Sequence, residues 1–204
     1  DIDGGIYVWD TSGGVLTASN VATAITNAPT KTKFSLVSNP DRHLICFGTE
    51  TTIGTTSTQD PMFIRWSDQD DYNSWTATAT NTAGSQRITD GSEIVTAVRT
   101  RGQILILTDT SAHGMSFIGA PFTFGFQQLG SNCGAISPSC AVDVGGIVYW
   151  MSSDAFYRFD GTVRKIPCTV EDFVFDNIEP KQYEQVFAGS NSAFGEIWWL
   201  YCTT

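Results

Sequence analysis

A chain of 204 residues can bury a sizeable core within one β domain, and a composition of 41% hydrophobic and 16% charged residues, with 19 Gly, favours strands and turns over surface helices. Twenty-one Asp and Glu against eleven Lys and Arg leave a net charge of -10, which argues against tight binding to phosphate backbones or anionic lipid. No apolar run approaches the ~20 residues that span a bilayer and no basic leader precedes an apolar stretch, so neither membrane insertion nor export is expected.

In chain order, the first strand-like run is Tyr7-Val8-Trp9-Asp10. Apolar strands then enter at Leu44 (Leu-Ile-Cys-Phe), Ile104 (Ile-Leu-Ile-Leu), Ile147 (Ile-Val-Tyr-Trp) and Ile197 (Ile-Trp-Trp-Leu), with Gly102, Gly146 and Gly195 just before the last three. Their spacing, roughly 40–60 residues, is that of a propeller-sized unit. A polar turn and a second strand follow each of the first three: Met62 to Trp66, Met115 to Ile118 and Phe156 to Phe159. Tyr7-Val8-Trp9-Asp10 matches Tyr157-Arg158-Phe159-Asp160 about three units later, as if the chain began near the end of one unit. Continuous apolar runs fit strands buried on both faces, whereas Arg65, Ser116 and Arg158 among aromatics fit more exposed strands. Helical periodicity is weak except at Thr169 to Ile178, which Pro167 and Pro180 bracket.

The expected fold is therefore all-β, a propeller-like array of antiparallel blades, probed against sandwich, jelly-roll and β-helix alternatives that lack this recurrence. Residues 1–204 read as one domain, a piece of a longer chain and of a larger propeller, with partial blades at both ends.

Residues capable of chemistry have plain structural readings. Asp68, Asp70 and Asp71, in Ser67-Asp68-Gln69-Asp70-Asp71-Tyr72-Asn73 beside Trp75, could ligate calcium, but the segment lacks the glycine and distal Glu of an EF-hand and reads first as a self-capping turn. Asp90-Gly91 and Asp160-Gly161 read as closing turns. His43 and His113 lie in no zinc spacing and beside no cysteine nucleophile. Gly145-Gly146 forms no phosphate loop. Phe122, Phe124 and Phe126 alternate and should share one strand face, where core or subunit packing outweighs base stacking because no basic residue falls between Arg101 and Arg158. Five cysteines give no disulfide framework; Cys46 and Cys202 sit in apolar runs, and Cys133 and Cys140 flank a Gly-Ser-Pro loop and could pair or stay free. No catalytic, cofactor-binding or metal residue is assigned, and no cofactor is expected.

From Asp60 onward the sequence resembles the phage stabilisation protein family, the tail hub or nozzle proteins of short-tailed bacteriophages. The resemblance rests on Arg65-Trp66-Ser67-Asp68, Thr100-Arg101-Gly102-Gln103-Ile104-Leu105-Ile106-Leu107-Thr108-Asp109 and Pro121-Phe122-Thr123-Phe124-Gly125-Phe126. It continues through Cys133-Gly134, Gly145-Gly146-Ile147-Val148-Tyr149-Trp150-Met151, Phe156-Tyr157-Arg158-Phe159-Asp160-Gly161, Val174-Phe175-Asp176 and Trp198-Trp199. It implies a virion structural protein, not an enzyme, assembled in the host cytoplasm. In such a particle a homo-oligomeric ring, hexameric in relatives, joins portal and adaptor to tail fibre or needle proteins and lines the DNA exit channel. An acidic wall suits transient, non-specific passage of DNA. Assembly in a reducing cytosol also implies free thiols at Cys133 and Cys140. The competing readings are a carbohydrate-binding or carbohydrate-cleaving β-propeller of a tail spike and a cellular interaction scaffold. A cleaving site would need two carboxylates facing one another across a cleft.

Overall fold

Short apolar runs separated by Gly- and Asp-rich turns fold into an almost wholly antiparallel β structure, seen in a computed structural model that describes residues 3–9, 21–39 and 41–204. The chain divides into two compact units: Asp1–Thr89 with Ala120–Thr123, and Asp90–Gly119 with Phe124–Thr204.

In the first unit β1 (Tyr7–Val8) pairs with β2 (Thr23–Ala24). β3 (Phe34–Val37), β4 (Leu44–Phe47), β5 (Phe63–Trp66) and β6 (Gly84–Arg87) then form a four-stranded meander in sequence order. Ile45, Cys46, Phe47 and Ile64 are fully buried, and Phe34 stacks on Phe47 at 4.8 Å. β6 is Gly-Ser-Gln-Arg and carries no apolar signal. It is recruited by pairing with β5 and by close packing of Trp66 on Gly84, where an added Cβ would come within 2.5 Å of the indole.

The second unit repeats the meander. β7 (Ile94–Arg99), β8 (Ile104–Thr108), β9 (Ser111–Gly119) and β10 (Thr123–Ser131) form one sheet, and β11 (Ala141–Val144), β12 (Ile147–Met151), β13 (Phe156–Phe159) and β14 (Val163–Lys165) another. β7 carries a bulge, its register on β8 passing from Ile94 to Thr96. After α1 (Glu171–Asn177) and a 3-10 segment over Pro180–Gln185, β15 (Phe187–Asn191) pairs with β16 (Glu196–Leu200). β11 packs beside both β7 and β15. The core gathers Leu105, Leu107, Ala112, Val148, Trp150, Met151, Phe156 and Phe159.

The strands expected at Leu44, Ile104 and Ile147 each belong to a separate antiparallel sheet, and all four apolar runs take the second place in their sheet. Gly102, Gly146 and Gly195 lie in the turns before these second strands with φ of +99°, +90° and +67°, a conformation glycine adopts without strain. The expected helix forms over Glu171–Asn177, inside Thr169 to Ile178, with Glu171 and Asp172 at the positive end of its dipole. The 3-10 turns at Thr56–Thr58 and Pro180–Gln185 carry no periodic signal. Tyr7–Val8 pairs onward to a following strand, as Tyr157–Phe159 does with Val163–Lys165; Asp10 lies outside the described residues.

Two expectations are corrected. Phe122, Phe124 and Phe126 do not share a strand face. β10 starts only at Thr123, whose φ of +62° breaks the alternation, and Phe122 is left 73% exposed in the preceding turn while Phe124 is buried. β16 is not buried on both faces like β8: Trp198 and Leu200 are 53% and 64% exposed, because the described residues leave one face of this two-stranded sheet uncovered. No closed propeller is seen among the described residues.

Candidate functional site

The acidic segment after β5 is a network of caps. Ser67 Oγ accepts from Leu44 N at 3.1 Å and donates to the Asp68 carbonyl at 2.9 Å. Asp68 Oδ1 accepts from Gln69 N (2.9 Å), Thr82 N (2.8 Å) and Thr82 Oγ1 (2.6 Å). Asp71 Oδ1 accepts from Asn73 N at 2.9 Å, and Asp70 pairs with Arg42 at 2.6 Å. The buried Trp75 donates its indole N–H to the Tyr72 carbonyl at 2.7 Å, which holds the segment against the unit. Desolvation, the largest influence on Asp68, pushes its pKa up, but the bonds from Thr82 and Gln69 and the nearby His43 together hold it below the usual carboxylate value. Asp68 and Asp71 thus cap backbone of their own segment, Asp68 also tying it to Thr82, while Asp70 pairs with Arg42 instead. Among the described residues no group of three or more His, Cys, Asp or Glu is arranged to hold a metal.

Both histidines are interior. His43, fully buried, shares a 3.0 Å hydrogen bond between Nε2 and Thr82 Oγ1, and burial pushes its pKa below 6.5 against the pull of Asp41, Asp68 and Asp70. His113 Nε2 lies 2.8 Å from Ser111 Oγ, the nearest approach to a nucleophile and base in the chain's described residues. Ser111 is fully buried; its Oγ donates to the Asp90 carbonyl at 2.9 Å and meets Thr108 Oγ1 at 2.8 Å. Ser111 Oγ and His113 Nε2 thus share their bond in the interior, where Ser111 is also held by the Asp90 carbonyl and Thr108, so this pair presents no open nucleophile. The cluster fastens the β8–β9 turn.

Other buried polar groups, not singled out by motif, work in the same way. Glu50 is fully buried; Oε1 accepts from Thr30 Oγ1 at 2.5 Å, and Oε2 from Gly54 N at 2.7 Å. Asp109 accepts from Ser92 N and Oγ at 2.8 and 2.6 Å, clamping the residues beside Gly91, whose φ is +121°. Asp160-Gly161 is the β13–β14 hairpin turn, with Gly161 at φ +110°. All five cysteines are free, Cys133 and Cys140 both buried, and burial pushes the Cys133 thiol up to about 11.

Two surface features of the second unit escaped the sequence reading. On β15–β16, Phe187 faces Leu200 and Gly189 faces Trp198, so three exposed apolar side chains share one side of the sheet. The opposite side is anchored, Trp199 donating to the Cys140 carbonyl at 2.9 Å and packing on Phe156 at 4.8 Å. On the β11–β14 sheet a depression of about 340 Å³ is bordered by Tyr149, Arg158, Arg164, Lys165, Ile166 and Pro167. Register rather than sequence proximity assembles it, so only a correct pairing of β12, β13 and β14 would have revealed it.

No family model matches the chain, and no curated protein does. No helix among the described residues is long and apolar enough to cross a membrane.

Proposed function

We propose that the chain is a structural segment of the tail hub or nozzle of a short-tailed bacteriophage, its sheets serving as blades of a propeller-like array and its flanks joining copies into a ring around the DNA exit channel. In the virion such a ring stands between portal and adaptor above and tail fibre or needle below. The observation that carries this reading is the exposed apolar side of β15–β16, Phe187, Trp198 and Leu200, in a chain that also holds three four-stranded meanders. A two-stranded sheet is marginal alone, and exposed strand edges and apolar patches pair with a neighbour. A subunit contact covers this side in the proposed ring. The capped carboxylates and buried histidines favour a scaffold over the carbohydrate-cleaving alternative.

Light scattering and negative-stain imaging of the full chain test this. The expected result is a discrete ring, dispersed to smaller species by the double substitution Trp198→Ser with Leu200→Ser. A monodisperse monomer at tens of micromolar would refute it.

A further inference from the structure

Antiparallel register sets Tyr149, Arg158 and Arg164 abreast on one side of the β11–β14 sheet, Tyr149 opposite Arg158 and Arg158 opposite Arg164. Like charges directly opposite one another destabilise a strand pair. One carboxylate, Asp160, lies near both. Asp160 approaches Arg158 at 3.5 Å and, against a desolvation that would raise it, hydrogen bonds from Thr162 and the charges of both Arg164 and Arg158 hold its carboxyl below the usual value. Arg164 Nε donates to Thr162 Oγ1 at 3.1 Å, and Arg164 makes no ion pair among the described residues. Lys165 follows on β14, so strand alternation directs its side chain to the other side, where Nζ meets Glu171 Oε1 at 2.6 Å. The result is two guanidiniums facing one carboxylate, a surplus of positive charge on a protein whose net charge is -10.

These arginines and Tyr149 border the depression of about 340 Å³, with Ile166 and Pro167 on its rim. That volume lies at the lower end for small-molecule sites, roughly 300–1,000 Å³. Guanidiniums present planar forks suited to carboxylate or phosphate oxygens, and Tyr, Ile and Pro offer apolar walls against which a ring can lie. The acidity of the remaining surface repels a polyanion but tolerates a single charged group held by local donors.

We infer that this depression binds an acidic sugar, its ring against Tyr149 and its carboxylate or phosphate held by Arg158 and Arg164. This site is independent of the tail-hub reading and would stand if that reading failed.

The test is an NMR titration of the 204-residue chain at low salt with glucuronate, glucose 6-phosphate, glucose and inorganic phosphate. Saturable binding of at least one acidic sugar is expected, with glucose and inorganic phosphate each weaker by about tenfold or more, and the tighter acidic sugar identifies the preferred oxyanion. Arg164→Gln should weaken that binding about tenfold. Tyr149→Leu should weaken the sugar but not inorganic phosphate. Lys181→Gln, which removes the same charge elsewhere, should leave it unchanged. Arg164 is exposed, so its replacement leaves the sheet folded, and unchanged amide spectra beyond β12–β14 verify this. Absence of saturable binding, equal affinity for inorganic phosphate and glucose 6-phosphate, or an equal loss in Lys181→Gln would each overturn the inference.

Discussion

Replacing Gly134 by alanine places a methyl group where the fold has none to spare. Cys133 N donates to the Thr110 carbonyl at 3.0 Å and Ala135 N to the Thr108 carbonyl at 2.9 Å, while Trp150 Nε1 donates to the Cys133 carbonyl at 2.8 Å. Residues 133–135 are therefore pinned on both sides of Gly134, and an added Cβ would overlap the Asp109 carbonyl group and Thr110 nitrogen. No rotamer relieves a collision with backbone. Overpacking costs about 1–3 kcal/mol, and the required shift stretches two backbone hydrogen bonds at about 1 kcal/mol each. Gly134→Ala should thus destabilise the second unit by roughly 3–5 kcal/mol, a large share of the ~5–15 kcal/mol that a domain possesses. With a urea slope of about 2 kcal/mol/M, the unfolding midpoint followed by Trp fluorescence should fall by roughly 2 M. Gly145→Ala is the comparison: its Cβ would meet nothing within 4 Å, and only the φ of +65° penalises it, by about 1–2 kcal/mol. A Gly134→Ala midpoint no lower than that of Gly145→Ala would refute the packing account.

Both histidines are held neutral by burial, so the unfolded chain takes up protons below pH 6.5 that the folded chain refuses. Their contribution is intact above that pH and is lost as pH falls from 6.5 towards the lowered folded values; the urea midpoint should decline between pH 7.5 and 5.5, and His113→Gln should flatten the decline. Asp68→Ala removes three hydrogen bonds from Gln69 and Thr82 and should cost about 1–2 kcal/mol. Asp70→Asn loses an exposed pair with Arg42 and should change stability by less than about 0.5 kcal/mol. Added calcium should leave both midpoints where they are, and a calcium-dependent rise in the parent but not in Asp70→Asn would restore the cation reading.

The second strands were legible because Ile-Leu-Ile-Leu and its counterparts combine β propensity with a glycine that needs positive φ. The third strands followed from the mixture of Arg and aromatics in Phe-Tyr-Arg-Phe and Phe-Ile-Arg-Trp. The outer strands were not. β6 is held by pairing and by Trp66 rather than by its own pattern, a tertiary effect that no window of Gly-Ser-Gln-Arg reveals. Phe122 misled because alternation is blind to the left-handed Thr123 that precedes Phe124. The turn reading of Asp68 and Asp71 could be made from residue type alone, since short carboxylates reach nearby backbone; the pairing of Asp70 with the distant Arg42 could not. The arginine pair could not, because Arg158 and Arg164 meet only through register.

β8 and β16 carry nearly the same signal, four consecutive apolar residues after a glycine turn, yet every residue of β8 is buried and β16 alternates between half-buried and exposed. The difference lies in partners. β8 is flanked by β7 and β9, while β16 has β15 on one side only among the described residues. Trp199 on the covered side of β16 is fixed by a hydrogen bond and by Phe156, whereas Trp198, one residue earlier, donates to Glu196 on its own strand at 3.2 Å. The exposed Trp198, Leu200 and Phe187 are side chains of the kind that gain most from burial, about 1.5–3 kcal/mol each for Leu and Phe, and on this sheet they lie in register rather than scattered. Covering them together favours a partner laid along the sheet over a contact at one residue. That is why the double substitution at Trp198 and Leu200, which leaves the Trp199 anchor in place, separates assembly from folding: a variant with unchanged urea midpoint and lost self-association locates the interface on this side, and a variant that still assembles removes it.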